Sequence, residues 1–186
     1  MNETKKLTID FTPKKEKKES QREPIKPKEK IKRIITNTEQ WCFEECDLTN
    51  EKQWEYINQI VEGKINVENK NSCDIIIKQL KRKIVGYRSQ DVVNKKLNRE
   101  TLVDLETVLQ LLYKCENKCY YCQNSCLVLY EYVRDRKQWS LERKDNSIGH
   151  NKGNLDIACL ECNVRRKTMH QERYVFTKQM SIVKKE

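Results

Sequence analysis

The chain has 186 residues, 37% of them hydrophobic and 35% charged, with a formal net charge of +10. That balance leaves room for one domain and a small second one, and it supports a sizeable core only if part of the chain stays outside it. No apolar run approaches the about 18 residues a membrane helix needs. The opening MNETKKLTID lacks the apolar stretch of a secretory signal, so the expected address is intracellular, nuclear or cytoplasmic, with no membrane partner.

Residues 1–38 stand apart. They hold all three prolines (Pro13, Pro24, Pro27), the runs KKEKK and KPKEKIKR, and twelve Lys and Arg against six Asp and Glu. This is the composition of a disordered basic arm, either a localisation signal, a phosphate-binding tail or a solvating tail without a partner.

Residues 39–114 carry helical periodicity. EKQWEYINQIVEG repeats Trp54, Ile57 and Val61, with Gly63 as a stop. CDIIIKQLKRKIVGY sets Ile76, Leu80, Ile84 and Tyr87 on one face, and NRETLVDLETVLQLLYK does the same with Leu102, Leu105, Leu109 and Leu112. Thr101 and Asp104 read as a capping box with Asp in place of Glu. The stripes predict a helical scaffold, which offers a surface to a protein partner and shows no catalytic pattern.

After Tyr113 the period shortens. LVLYEYV and KQWSLER read as two strands joined by RDRK, followed by the loop NSIGHNKGN and a helix starting near Cys159. Two close cysteine pairs frame this region, Cys119 with Cys122 and Cys159 with Cys162. In a reducing compartment such pairs read as metal ligands before they read as disulfides. Four thiolates at this spacing suit a tetrahedral, structural Zn²⁺. A knuckle, a hairpin and a helix whose first turn carries the second pair make a treble clef. Expected overall is an α+β chain, mostly helical at first and ending in a zinc-bound ββα domain over residues 115–186. Cys42, Cys46, Cys73 and Cys115 leave a second metal site open, and Cys126 is an alternative ligand of the first.

The net charge suits a polyanionic partner, most simply nucleic acid. Arg165, Arg166 and Lys167 follow Cys162 on the helix, where they read either as phosphate contacts or as a solvated helix face.

The segment CYYC…WSLERKDNSIGHNKGNLDIACLECNVRRKT resembles the HNH endonucleases, in particular zinc-supported viral or phage variants. The resemblance covers about Cys115 to Met169, a third of the chain. It implies a ββα-metal site that hydrolyses DNA phosphodiester bonds. By that resemblance Glu142 is the acid at the strand end, Asn163 the ligand on the helix, and Asn154 the loop asparagine that orients the base; Asp145 is a nearby second carboxylate. Oxygen donors of this kind suit Mg²⁺ or Mn²⁺. The histidine expected after the acid is Arg143, which reads as a phosphate clamp or an ion-pair partner of Glu142. His150, four residues before Asn154, is the substitute base, unless it is a solvated loop histidine. The competing expectation is a non-catalytic zinc module of the same fold, binding nucleic acid or an assembly through a decayed site.

Overall fold

The structure, a computed structural model, describes residues 30–33 and 44–179. Most of the basic arm, Cys42 and the last seven residues lie outside the described residues. A single 3₁₀ turn (Glu45–Leu48) leads into helix α1 (Asn50–Glu62), followed by α2 (Lys70–Val93) and α3 (Leu105–Lys114). Strands β1 (Trp139–Arg143) and β2 (Leu155–Cys159) then precede α4 (Leu160–Arg166) and α5 (Gln171–Gln179). The architecture is α+β, a helical region followed by a β-hairpin and helix that carry a four-cysteine cluster.

The helix signals operate as physical chemistry requires. Thr49 caps α1 by accepting from Lys52 N, and Gly63 ends it in the left-handed region at φ 69°, where a residue without Cβ pays no steric penalty. Ile57, Ile76, Leu80, Val108 and Leu112 are fully buried, so the apolar stripes of α1, α2 and α3 face one another. The expected capping box does not form. Asp104 is itself the N-cap of α3, accepting from Thr107 N at 2.9 Å. Residues 101–103 are instead drawn into an edge pairing: Val103 N donates to His150 O at 3.0 Å and Lys152 N to Thr101 O at 2.7 Å.

The hairpin also differs from expectation. β1 pairs antiparallel with β2, from Trp139 opposite Cys159 to Arg143 opposite Leu155, so the turn of the hairpin is the loop 144–154. LVLYEYV forms no named strand. The backbone groups of Val128 and Leu129 at its centre are taken by Gln53, a fully buried side chain of α1. Gln53 Oε1 accepts from Val128 N at 2.7 Å and Leu129 N at 3.0 Å, while Nε2 donates to Leu129 O and Asp47 O. A side chain that satisfies these buried groups removes the need for a partner strand.

Residues 30–33 run along 131–133, with Arg33 N donating to Glu131 O at 2.8 Å and Val133 N to Ile31 O at 2.9 Å. One hydrophobic core joins the helices to the hairpin, from Ile57 and Ile76 through Leu129 and Trp139 to Ile157 and Cys162. The helical region thus forms one wall of whatever the hairpin presents.

Candidate metal centre and the adjoining cavity

The knuckle is set by residues 117–126. Cys119 N donates to Asn124 O and Gln123 N to Cys119 O, with Gln123 in the left-handed region at φ 58°. Tyr120 N donates to Ile157 O at 2.8 Å, which ties the knuckle to β2. Cys159 ends β2 and caps α4, its Sγ accepting from Cys162 N at 3.4 Å. The Sγ atoms of Cys119, Cys122, Cys159 and Cys162 all lie within 4.8 Å of one another, and Cys122 and Cys159 are 4.0 Å apart. A tetrahedron of Zn–S bonds of about 2.3 Å separates its sulfurs by about 3.8 Å, so the four residues fit a structural Zn²⁺ with little movement.

Thiol hydrogen bonds from Cys126 and then Cys159 hold Cys119 far below the usual thiol range, and the same bonds push Cys126 and Cys159 up. Cys126 is therefore a buried neighbour that donates to the cluster rather than one of the four clustered ligands. Cys46 is exposed, Cys73 is buried beside α1, and Cys115 caps α3; among the described residues these three build no second cluster.

On the other side of β1, a cavity of about 250 Å³ is lined by Glu142, Arg143, His150, Asn163 and Lys167, with Tyr87 and Gln90 of α2 closing it. Glu142 is buried, and its Oε1 is engaged by Arg166 Nη1. Burial raises its carboxyl above the usual range, against the pull of Arg166. Glu142 Oε2 has no hydrogen-bond partner among the described residues. Asn163 Nδ2 donates to Ser140 Oγ at 3.1 Å and Leu141 O at 3.2 Å, which leaves Oδ1 for the cavity.

His150 is not a solvated loop histidine. It is 4% exposed, and Asp91 of α2 grips it twice, Oδ1 at 2.8 Å from Nδ1 and Oδ2 at 2.7 Å from the backbone N. The Tyr87 ring lies 4.5 Å from the imidazole. Burial moves the His150 pKa below its ordinary value; Asp91 opposes this shift and Arg143 adds to it. With Nδ1 committed, Nε2 is the nitrogen left to the cavity. Gly149 makes the contact sterically possible, since a Cβ there would stand 2.5 Å from Lys96 O and 2.8 Å from Asp91 Oδ2.

Asn154 staples the loop. Its Oδ1 accepts from Asp145 N at 2.9 Å, and its Nδ2 donates to Asp145 O and to Gly149 O, next to His150. Asp145 is exposed, accepts from Ser147 N at 2.7 Å, and is not among the residues lining the cavity. The basic triplet divides. Lys167 lines the cavity, and Arg165 is exposed and paired with Glu161 at 2.7 Å. Arg166, expected to contact phosphate, is 2% exposed and spent on Glu142 and the carbonyls of Arg143 and Lys144. His170 is exposed.

The residue that sequence reasoning missed is Asp91. It continues the stripe Ile76, Leu80, Ile84, Tyr87 at helical spacing, and an acid on an apolar face demands a buried partner. No family model, curated protein or solved structure matches the chain.

Proposed function

We propose that the chain is an HNH-type, metal-dependent endonuclease that hydrolyses DNA phosphodiester bonds, braced by Zn²⁺ on Cys119, Cys122, Cys159 and Cys162. The observation that carries this reading is His150, held on Asp91 with Nε2 left to a cavity that Glu142 and Asn163 also line. An imidazole whose pKa burial lowers is neutral at pH 7 and ready to take a proton. Asp91 fixes its tautomer and stabilises the imidazolium that forms.

Glu142 and Asn163 would hold a Mg²⁺ or Mn²⁺ ion, an oxygen donor set such ions prefer, and the ion would supply positive charge where the phosphate gains negative charge. The unpartnered Glu142 Oε2 fits that role. His150 Nε2 accepts a proton from water as the water oxygen bonds to phosphorus; the ester P–O bond breaks and the leaving oxygen takes a solvent proton. Arg143 and Lys167 line the same cavity and attract the phosphodiester. Asn154 keeps His150 in place through the Gly149 carbonyl.

One observation favours the second reading, a nucleic-acid-binding module with a decayed site. Arg166 already engages one oxygen of the Glu142 carboxylate. Zinc-loaded protein incubated with supercoiled plasmid in Mg²⁺, in Mn²⁺ and without either separates the two. Nicking that needs the divalent ion and is lost in Glu142→Ala supports the nuclease. Salt-sensitive DNA binding with no cleavage in any condition overturns it in favour of the binding module.

A further inference from the structure

Next to the His150 cavity lies a second one, of about 350 Å³, that no part of the proposed chemistry uses. Six of its lining residues, Gln79, Arg82, Lys83, Gly86, Tyr87 and Gln90, recur along α2 at intervals of three and four, so they form one face of that helix. Arg33 from the edge strip and Tyr130 and Trp139 from the hairpin side complete it. Tyr87 and Gln90 line both cavities, which makes them neighbours along a single track.

The chemistry of this wall is cationic. Lys83 Nζ lies 4.5 Å over the Trp139 ring and donates to Trp139 O. The Arg33 guanidinium lies 4.0 Å over the Tyr130 ring and donates to Tyr130 O and Gln79 Oε1. The aromatic faces are thus already covered by cations, and the cavity offers positive charge rather than a stacking platform. No carboxylate among the described residues pairs with Lys83 or Arg82. Burial and the neighbouring Arg33 lower the Lys83 pKa to about 7. A partly buried Lys83, crowded by Arg33 and without a carboxylate partner among the described residues, is a cost to folding that a bound anion would relieve.

We propose that this cavity is a phosphate-binding subsite, in which Arg82 and Lys83 hold a phosphodiester of the nucleic-acid strand whose reacting phosphate lies at His150. Lys83 and Asp91 are eight residues apart on α2, about 12 Å at 1.5 Å per residue. That distance corresponds to about three to four nucleotides at an axial rise of roughly 3.4 Å each. The inference rests on the nucleic-acid reading above, but its readout is binding and needs no cleavage.

The test is the affinity of full-length, zinc-loaded protein for a fluorescein-labelled 16-nucleotide DNA strand, titrated in chloride salts without Mg²⁺. Lys83→Met keeps the stem over Trp139 and removes the charge. Gly86→Leu leaves every charge in place and fills the cavity, since a Cβ at Gly86 meets nothing within 4 Å. Lys81→Gln, on another face of α2, removes an equal charge away from the cavity. Expected is several-fold weaker binding for Lys83→Met and Gly86→Leu, with the slope of log affinity against log salt shallower by about 0.7 for Lys83→Met. Lys81→Gln should leave that slope unchanged. Equal effects of Lys81→Gln and Lys83→Met, or a Gly86→Leu variant that binds like the parent, would overturn the subsite. Inorganic phosphate, at ionic strength matched to chloride, probes free anion as the alternative source of the ligand. Displacement of the oligonucleotide beyond that by chloride, in the parent but not in Lys83→Met, supports a phosphate-selective cavity; equal displacement by both salts in both proteins counts against it. A parent protein that binds the strand at this subsite yet never nicks plasmid would sink the nuclease and leave the subsite standing.

Discussion

Replacing Asp91 with asparagine tests the part of the site that joins the helical region to the hairpin. Asparagine keeps the volume and an acceptor for the His150 backbone N, but removes the charge 2.8 Å from Nδ1. A hydrogen bond to a charged group contributes about 1.5–3 kcal/mol. If Asp91 stabilises the imidazolium formed during proton transfer by that amount, kcat falls about 10- to 150-fold at about 1.4 kcal/mol per decade. The pH dependence has a definite sign. Burial lowers the His150 pKa and Asp91 opposes it, so loss of the charge moves the pKa lower still and the acid limb of the rate profile with it. The same shift is readable without activity, by NMR titration of the histidine ring nitrogens in zinc-loaded protein free of Mg²⁺. Zinc content and thermal unfolding report whether the variant is folded. A folded variant whose His150 titrates as in the parent, or with an acid limb moved to higher pH, would refute the reasoning.

The zinc cluster makes separate predictions. Cys159→Ser should lose the metal and the cooperative fold of the C-terminal region, because structural zinc supplies folding free energy of about 10 kcal/mol or more. Cys126→Ser should retain one zinc per chain by elemental analysis, since its sulfur is outside the four-cysteine cluster. Gly149→Ala forces a Cβ to within 2.5 Å of Lys96 O, and should cost about 1–3 kcal/mol in denaturant unfolding. Gln53→Leu strands the buried backbone groups of Val128 and Leu129 and should cost about 3–5 kcal/mol by the same assay.

Because His150 is a weaker base when folded than when unfolded, the unfolded chain takes up more protons as pH falls. Stability from this residue is complete above its ordinary pKa of about 6.5 and lost on the acid side. Urea midpoints of the parent should therefore decline below neutrality, and a His150→Gln variant should remove part of that decline.

Local chemistry made much of this protein legible in the sequence. Apolar stripes at helical spacing located α1, α2 and α3, because an amphipathic helix has one face to bury. Paired cysteines located the four-cysteine cluster, because two residues between cysteines let both side chains reach one point from one turn. Strand pairing was not legible in the same way. LVLYEYV has the composition of a strand, yet Gln53, about 75 residues earlier, supplies the hydrogen bonds of Val128 and Leu129 at its centre, and no local signal records a partner so distant. Arg166 illustrates the same limit. Its sequence context reads as one of three surface cations, and only packing turned it inward onto Glu142. The sequence by itself thus determined that α1, α2 and α3 are helical and which residues carry thiol, carboxylate and imidazole. The tertiary structure decided which of those groups meet, bringing Asp91 to His150 and Lys83 to Trp139, because contacts between elements depend on how buried faces dock and not on the residues beside them in the chain.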